Sequence, residues 1–382
     1  MTLHRIRSVF MRGGTSNALV FRVDDLPADR AEWDAIFLAA MGSPDPYGRQ
    51  LDGMGGGLSS LSKVCIVGPS SRDDADVDYT FAQIAVREAR VDYGGNCGNM
   101  SSAIGPFAIE EGVVPTPPDG EAVVRIHNTN TGKIIAARFP VEDGAIAAEG
   151  DCVLDGVAGS AAPIKLEFLD PGGAKTGKLL PTGAPVDRLD VPGFGPIAAT
   201  CIDAANPAVF VAATDLGLTG AELPDVLEAD AGFLATVEAI RRAASVRMGL
   251  TPDLDAAGQL TSIPKVAMIC APQDAPTLTG RVLAADEADI GIRMISLGQP
   301  HRAVPITGAI CLAVAARVPG TLAHYLCTAK DGPIRVGHAS GTTTVDALVV
   351  AGKAEYGAVY RTARRLFEGN VIYRSKELNN GR

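Results

Sequence analysis

The sequence predicts a mixed α and β protein with many antiparallel strands, arranged as two related halves. Three observations favour this fold class. Short β-rich runs recur along all 382 residues, convincing helices are few, and a small-residue turn followed by an apolar helix occurs once in each half. The 43 glycines and 25 prolines agree with many tight turns between short strands.

Local hydrophobic patterns predict the individual elements. Runs rich in β-branched, aromatic and alternating apolar residues predict strands. These runs are 7–11, 18–23, 63–68, 78–86, 122–128, 133–141, 165–169, 197–203, 208–213, 265–272, 294–298 and 342–350. Helices are predicted at 29–41 (with Asp29 as N-cap), 99–112, 234–249, 307–318 and 356–369.

The two halves share a local pattern. Residues 94–114 and residues 305–321 each read as a turn of small residues, an apolar helix and a glycine stop. Each half also has a compact polar turn before a strand, starting at Arg12 and at Asp203. The pattern predicts two related domains that face each other and donate helix starts to a common cleft. The alternative is that small-residue turns simply precede helices.

Composition changes at the Pro- and Gly-rich stretch 181–196. We place the domain boundary there, which gives an N-terminal domain of residues 1–185 and a C-terminal domain of residues 186–382. The last strand or helix of the chain is expected to pack back on the first domain.

Charge and hydropathy exclude several classes of partner. The formal net charge is −10, and the lysines and arginines are scattered, so the basic footprint of a nucleic-acid binder is missing. The N-terminus begins with a strand-like pattern and shows no apolar segment of a signal peptide. No apolar run approaches the roughly 18 residues that span a bilayer. We expect a cytoplasmic protein with neither nucleic acid nor membrane as a partner.

The seven cysteines form no recognisable metal or disulfide framework. They stand at positions 65, 97, 152, 201, 270, 311 and 327, with no CxxC pair and no zinc-site spacing, and their number is odd. We expect reduced thiols and no metal. Most lie in apolar strings, as Cys311 does, where a thiol packs as a small hydrophobe. Cys97 is the exception.

Cys97 lies in the stretch YGGNCGNMSS, residues 93–102, directly before a predicted helix. A helix start presents unpaired N–H groups and the positive end of the helix dipole, which stabilise a thiolate or a bound carboxylate. The neighbouring glycines, Gly98 among them, let the backbone approach a ligand. Cys97 is therefore a candidate acid–base residue, with Asn96 and Asn99 beside it. The alternative is a thiol buried for packing.

A second candidate stretch runs over residues 51–68. Three consecutive glycines and the hydroxyls of Ser59 and Ser60 precede Lys63, which stands at the start of an apolar strand. Such a lysine can pair with an anion or, if desolvated, act as a neutral base. The spacing differs from that of a phosphate-binding P-loop. A solvated surface lysine beside a flexible loop is the alternative.

Two further places offer carboxylate ligands. Arg12 can form a bidentate pair with a carboxylate, and Gly14, Thr15 and Ser16 follow it in the same turn. A plain hairpin turn would look almost the same. Of the five histidines, only His301, just ahead of the second helix start, is placed near the cleft. A lone histidine there can also be structural.

Several motifs are shared with a known family. They are RGGTS, SPDPYGRQLDGMGGGLSSLSKV, DYTFAQ, GGNCGNMSSAIGPFAIEEG, LEFLDPGG, PTG and RTARRL. Together they resemble the PrpF family of tricarboxylate isomerases, which includes 2-methylaconitate cis-trans isomerases, methylitaconate delta-isomerases and 4-oxalomesaconate tautomerases. The resemblance extends over almost the whole chain.

The resemblance implies an α+β fold like that of diaminopimelate epimerase. That fold has two pseudo-symmetric domains, each with a β-sheet wrapped around a central helix, and an active site between them. In such epimerases two cysteines form an acid–base pair. Here Cys97 matches the first, but the second helix begins at Thr307 and Gly308 with no cysteine. In PrpF-like isomerases the second proton carrier is similar to Lys63. Asn17 stands where relatives commonly carry a lysine; if that lysine binds a distal carboxylate, the substrate here differs in shape or charge.

The mechanism expected from this resemblance is a proton shift beside a double bond conjugated with carboxylates. Neutral Lys63 would remove an allylic proton, backbone amides at the two helix starts would hold the charge of the dienolate, and Cys97 would serve as second acid or base. No cofactor is required. The substrate is a small unsaturated di- or tricarboxylate, and a homodimer is the default expectation. The candidate substrate-binding residues are Arg12, Gly14, Thr15, Ser16, Ser59, Ser60, Asn96, Gly98, Asn99, His301, Thr307 and Gly308.

Two other functions stay open at this point. An amino-acid epimerase would need a second base facing Cys97, and the chain offers no cysteine at the symmetrical place. A non-catalytic binding protein for small acids would be expected to lack Lys63 or Cys97, and both are present.

Overall fold

The computed structural model describes residues 2–375. Residue 1 and residues 376–382, the outer ends of the two predicted domains, lie outside the described residues. The described chain forms two compact units. The first comprises the residues up to Glu167 and those from Arg361 onward, and the second is Phe168–Tyr360. The division into domains of residues 1–185 and 186–382 stays a prediction.

The first unit is a twisted sheet with one helix on each face. Its elements begin with β1 (Thr2–Gly13), β2 (Ser16–Arg22), α1 (Trp33–Met41), β3 (Lys63–Pro69), β4 (Val77–Ile84), β5 (Val91–Asp92), α2 (Gly98–Glu110), β6 (Gly120–Asn128), β7 (Lys133–Glu142), β8 (Ala145–Ile146), β9 (Cys152–Val153) and β10 (Ser160–Ala161). The strand β11 (Ile164–Leu169) then carries the chain into the second unit.

The second unit is built from the next strands and helices. Its elements are β12 (Asp187–Val191), β13 (Gly195–Ala204), β14 (Asn206–Ala212), α3 (Pro224–Ala229), α4 (Ala231–Arg247), α5 (Leu254–Gln259), β15 (Lys265–Cys270), β16 (Ala275–Pro276), β17 (Val282–Leu283), β18 (Ile290–Ser296), β19 (Gln299–Pro300), α6 (Ile306–Arg317), α7 (Leu322–Leu326), β20 (Ile334–His338), β21 (Gly341–Val350) and β22 (Lys353–Arg361). The last strand, β23 (Ala363–Ser375), returns to the first unit and pairs with β1.

The two units repeat one order of strand pairings. In the first unit the strands run β23-β1-β2-β3-β4-β6-β7-β8, with parallel pairs at β2–β3 and β4–β6. In the second they run β12-β13-β14-β15-β18-β20-β21-β22, with parallel pairs at β14–β15 and β18–β20. The parallel pairs fall at the same two places. This repetition confirms the predicted pseudo-symmetric α+β architecture.

Each unit has a central helix that is apolar on every side. All α2 residues from Met100 to Ile109 are buried, and α2 contacts β1, β2, β3, β6, β7 and β23. In the second unit, α6 is buried from Gly308 to Ala316 and contacts β13, β14 and β21. A helix without a polar face must be enclosed, which is why each sheet curves around one. Cys311 lies inside α6 and is fully buried, as predicted.

A second hydrophobic layer covers the outer face of the first unit's sheet. There α1 packs on apolar residues of β2, β3 and β4. Trp33, at the first position of α1, is 7% exposed, lies against Phe37 and donates from Nε1 to the carbonyl of Pro27 at 2.9 Å. The guanidinium of Arg30 lies 5.1 Å from its ring centroid. Asp29 caps the short turn Arg30–Glu32 by accepting from the amide of Ala31, and not α1 as predicted, because α1 begins only at Trp33 with Glu32 as its N-cap residue.

The helix predicted at 356–369 is wrong. These residues form the end of β22 and the first half of β23, with one residue between the two strands. Alanine and arginine favour a helix by only a few tenths of a kcal/mol per residue. Long ladders with β21 and β1 outweigh that preference, and Tyr, Val and Phe in the segment suit a strand.

Candidate functional site

Cys97 stands at the start of α2, but its thiol does not cap the helix. Cys97 is the N-cap residue and is half-buried, and its side chain makes no hydrogen bond that caps the helix. Its carbonyl accepts from the amide of Ser101 at 2.9 Å and from the Ser101 hydroxyl at 3.1 Å. The same hydroxyl approaches Asn96 Oδ1 at 3.3 Å. Ser101 thus stabilises the helix start through two hydrogen bonds to the carbonyl of Cys97.

The predicted glycine turn packs directly on this helix start. A Cβ atom on Gly13 would lie 2.7 Å from the carbonyl oxygen of Asn99, and one on Gly14 would lie 2.3 Å from Asn99 Oδ1. Gly14 also has a φ of +52°. The side-chain Nδ2 of Asn99 donates to Thr15 Oγ1 at 3.1 Å. The structure therefore brings together the two motifs that contain Gly14, Thr15 and Asn99.

Arg12 holds the glycine turn through hydrogen bonds to two backbone carbonyls. Its NH1 donates to the carbonyls of Gly14 and Thr362, both at 2.9 Å. Burial lowers the pKa of Arg12, and the positive charge of Arg364 lowers it further. Ser16, after the turn, is buried. That Arg12 and Ser16 bind substrate stays a prediction.

Lys63 is buried at the first position of β3. Its Nζ donates to Gln83 Oε1 at 2.5 Å and lies 5.1 Å from the centroid of the Phe81 ring. Gln83 is held in turn, because its Nε2 donates to the carbonyls of Ser59 at 3.0 Å and Ser62 at 2.9 Å. The alternative of a solvated surface lysine is therefore excluded. Ser60 lies in the same short turn, Ser59–Leu61, and is partly exposed.

Lys63 and Cys97 both act electrostatically on the buried Cys65 thiol. Side chains two apart on a strand share a face, so Lys63 and Cys65 project to the side that α2 covers, while Val64 and Ile66 face α1. Burial raises the pKa of Cys65, the neighbouring Cys97 adds to the rise, and its contact with Tyr79 and the charge of Lys63 act against it. Both predicted acid–base groups therefore influence the pKa of one buried thiol.

Sequence reasoning missed two residues of this region. Gln83 faces Lys63 across the β3–β4 ladder, and only the register of that pair reveals the contact. Arg361 donates from Nε to Asn99 Oδ1 at 3.2 Å. It lies in the segment predicted as a helix, so its position was hidden by the wrong element. The motif RTARRL was the available signal.

In the second unit, His301, Thr307 and Gly308 lie at or just before the start of α6. His301 Nε2 is 3.0 Å from Ser296 Oγ. Burial lowers the pKa of His301, and the charge of Lys265 lowers it further. Thr307 is exposed, whereas Gly308 is buried where a Cβ would lie 2.4 Å from Met294 Sδ. Lys265 opens β15 as Lys63 opens β3, and burial lowers its pKa.

Neither a cluster of metal ligands nor a membrane-spanning helix is found within residues 2–375. They contain no group of three or more His, Cys, Asp or Glu side chains placed to hold a metal ion. Over the same residues, no helix has the length and apolar character needed to cross a membrane.

Comparisons with known proteins agree over the full chain. The 3-methylitaconate isomerase of Eubacterium barkeri is 42% identical over 378 residues, which cover 98% of each chain. The 2-methyl-aconitate isomerase of Shewanella oneidensis is 40% identical, with 96% of each chain covered. The 4-oxalomesaconate tautomerase of Pseudomonas putida is also 40% identical, with 96% of each chain covered.

A solved structure shows the same fold. The crystal structure of a methylitaconate-delta-isomerase superposes with a TM-score of 0.91 at 41% identity, and the match covers 98% of this chain and 96% of that one. This chain therefore has the fold of that methylitaconate-delta-isomerase, and the expected α+β class is confirmed. The fold and the relatives define this protein as an isomerase.

A family model described as PrpF protein matches residues 3–374. The chain belongs to the PrpF family, and the resemblance found in its motifs is confirmed.

Proposed function

We propose that this isomerase shifts a proton in a small unsaturated di- or tricarboxylate, with Lys63 and Cys97 as the acid–base pair and without a cofactor. The observation that carries the proposal is that Lys63 is buried at the start of β3, the strand that α2 contacts, while Cys97 is the N-cap residue of α2. The names of the relatives support the substrate class, because they refer to methylitaconate, methyl-aconitate and oxalomesaconate.

In the proposed reaction, the neutral amine of Lys63 removes a proton from the carbon next to the double bond. The electron pair of the broken C–H bond spreads through the double bond onto a carboxylate, which gives a dienolate. Amide N–H groups at the start of α2 are fixed donors for that charge. The proton then returns from Lys63 or Cys97 to another carbon, or to the same carbon after rotation. The first gives an allylic isomer and the second a cis-trans isomer.

Other side chains have supporting roles in this proposal. Gln83 holds the amine of Lys63 at 2.5 Å, and the turn that contains Ser59 and Ser60 holds Gln83. Arg12, Ser60 and His301 are assigned to substrate carboxylates. The backbone amides of Thr307 and Gly308, at the second helix start, are assigned to the negative charge of the dienolate. A cytoplasmic location, a homodimer and the absence of a nucleic-acid partner also belong to the proposal.

The test is proton NMR in deuterium oxide with 2-methylaconitate, 4-oxalomesaconate, methylitaconate and diaminopimelate supplied separately. We expect deuterium wash-in with double-bond migration or geometric inversion for one unsaturated acid. Lys63→Met and Cys97→Ser should each lower that rate by about 100-fold or more, the range of general acid–base catalysis.

Matched controls separate chemistry from folding. Lys133 opens β7 as Lys63 opens β3 but is exposed, so Lys133→Met should keep full activity. Cys270 is half-buried like Cys97, and Cys270→Ser serves as the thiol control. A folded protein that is silent with all three unsaturated acids would refute the proposed substrate class, and exchange into diaminopimelate would favour an epimerase.

A further inference from the structure

Lys265 has the same place in the second unit that Lys63 has in the first. β3 and β15 each form the later strand of the first parallel pair in the repeated strand order, β2–β3 and β14–β15. Lys63 opens β3 and Lys265 opens β15. Val266 packs with residues of α4, so Lys265 projects to the opposite face of the sheet. The Cys311 thiol of α6 acts electrostatically on its amine.

Ser296 and His301 are the polar neighbours of this lysine. The antiparallel register of β15 and β18 pairs Val266 with Ile295. One step further along these strands, Lys265 stands opposite Ser296, at the roughly 5 Å between Cβ atoms that cross-strand neighbours have. Because Ile295 also packs with α4, Ser296 projects to the same face as Lys265. The Ser296 hydroxyl is 3.0 Å from His301 Nε2.

The amines of the two lysines meet different groups. Lys63 donates to Gln83 Oε1, which lies opposite it across the β3–β4 pair. At the corresponding place in the second unit, Ser296 is bonded to His301 instead. Within the part of the chain that the structure describes, the Lys265 amine makes no hydrogen bond and no ion pair. Its donors are therefore available to a ligand.

The charge of Lys265 is half-buried without an anion. Burial lowers the pKa of Lys265, the Cys311 thiol offsets this only in part, and no carboxylate within residues 2–375 acts on it. Burial of a cation without a counter-ion costs stability. Such a cost is unexpected in a chain whose formal net charge is −10, because acidic groups are in excess. The second unit thus leaves a place for an anion that its described residues do not supply.

His301 adds a neutral polar group to the same place. Burial lowers the pKa of His301 and the charge of Lys265 lowers it further, so the imidazole is mainly uncharged at neutral pH. Its Nε2 faces Ser296 Oγ, and its Nδ1 has no hydrogen bond to any residue that the structure describes. Lys265 therefore supplies the positive charge, while His301 can donate or accept one hydrogen bond.

We propose that Lys265 binds a carboxylate of the substrate, with His301 and Ser296 as its polar neighbours. The ammonium carries three N–H donors, and a charge-assisted bond to a carboxylate is about twice as strong as a neutral hydrogen bond. The inference rests on the proposed function, which assigns His301 to a substrate carboxylate but gives that carboxylate no cation in the second unit.

The test measures binding instead of turnover. Isothermal titration calorimetry in a chloride buffer at neutral pH follows the binding of tricarballylate, a saturated tricarboxylate that has no double bond to isomerise. We expect Lys265→Met to raise the dissociation constant by about tenfold or more, the loss expected for one charge-assisted pair. Lys265→Arg keeps a positive charge and should retain more of the affinity than Lys265→Met. Sodium sulfate is titrated in parallel as a general anion.

Two controls separate ligand binding from folding. Lys353 opens β22 as Lys265 opens β15, but it is exposed and paired with Asp170, so Lys353→Met should bind as wild type does. Thermal melting by circular dichroism follows every variant. Because Lys265→Met removes a half-buried charge that has no anion, we expect its melting temperature to equal or exceed that of wild type. The stoichiometry of each titration reports the folded fraction, so a variant that folds poorly is still compared by its affinity.

Several outcomes would overturn the inference. They are unchanged affinity in Lys265→Met, an equal loss in Lys265→Arg and Lys265→Met, and absence of tricarballylate binding to wild type. Sulfate binding as tight as that of tricarballylate would overturn the assignment to a substrate carboxylate.

The calorimetric assay is independent of isomerisation. Binding that depends on Lys265 in a protein inactive with every unsaturated acid would refute the proposed function and keep the carboxylate site. Isomerisation together with unchanged binding in Lys265→Met would refute only the site.

Discussion

Gly14 shows at the level of one residue why the motif needs a glycine. Its φ of +52° disfavours other residues, and the space where a Cβ would lie is taken by the Asn99 side chain at 2.3 Å. The positive φ restricts the backbone, whereas the close approach of Asn99 concerns the candidate site. A control glycine that has only the positive φ separates the two effects.

We expect Gly14→Ala to lower kcat/KM by about 10-fold or more, because Asn99 must move away from its bonds to Thr15 and Arg361. Gly132→Ala is the control, since Gly132 has a φ of +69° with nothing within 4 Å of an added Cβ. Both changes should cost about 1 kcal/mol of stability, and only the first should reduce activity. Steady-state kinetics with urea unfolding measure both effects, and equal activity in the two variants would contradict this account.

Residues of the candidate site could be predicted where a short sequence motif itself forms the turn or helix start that contains them. Cys97, Asn99 and the turn from Arg12 to Ser16 were found from glycines and small polar residues placed before regular elements. Gln83 and Arg361 could not be found in that way. Their roles depend on strand register and on a long-range contact between residues 99 and 361, which no local pattern encodes.

At the level of elements, α2 is joined to the sheet at its C-terminal end by an ion cluster. The Glu111 side chain is 4% exposed and accepts from Arg7 of β1 at 2.5 Å and from Arg365 of β23 at 2.9 Å. Burial alone would raise the pKa of Glu111, but these hydrogen bonds and charges lower it overall. The cluster links the central helix to the β1–β23 pair.

Glu111→Gln should therefore destabilise the protein in a pH-dependent way. The folded pKa lies below the unfolded value, so the stabilisation is complete above the unfolded pKa and is lost as pH falls through the folded pKa. We expect a loss of about 1 kcal/mol at pH 7, after allowance for the partial exposure of both arginines. Urea unfolding should show the difference shrinking as the pH falls through the folded pKa of Glu111.

The control is Glu88→Gln, which removes an exposed pair with Arg90. It should change the free energy of unfolding little at either pH. A loss in Glu111→Gln that stays constant from pH 7 to acid would mean that the carboxylate charge contributes nothing.

Secondary structure was predicted well where one face or the whole segment is apolar. The strands and the helices α1, α2, α4 and α6 follow hydrophobic patterns that the packing reproduces. The segment 356–369 failed because its pattern fits either structure, and the long β1–β23 ladder decides between them. Strand order, including the repeated parallel pairs, depends on contacts between distant segments and was not predicted.

At the level of the whole molecule, the seven cysteines differ sharply in environment. Four are buried, and the half-buried ones are Cys97, Cys152 and Cys270. Burial raises the pKa of Cys152 and of Cys270, which lowers their thiolate fraction at neutral pH. Cys97, at a helix start, is the third of these half-buried thiols.

We expect limiting iodoacetamide at pH 7.5 (about neutral, below the ordinary thiol pKa) to modify Cys97 before any other cysteine, with activity lost in proportion. Peptide mass spectrometry identifies the site, and Cys97→Ser should lose the fast phase of modification. Earlier labelling of Cys152 or Cys270 would show that burial does not control reactivity in this protein.

The sequence contains one tryptophan, and it is Trp33 in the core of the first unit. Its indole lies between Phe37 and the Arg30 guanidinium. Intrinsic tryptophan emission therefore originates from a single ring, which reports on the packing of α1 against the first unit's sheet and gives no signal from Phe168–Tyr360. The chain thus carries a built-in optical probe of one of its two units.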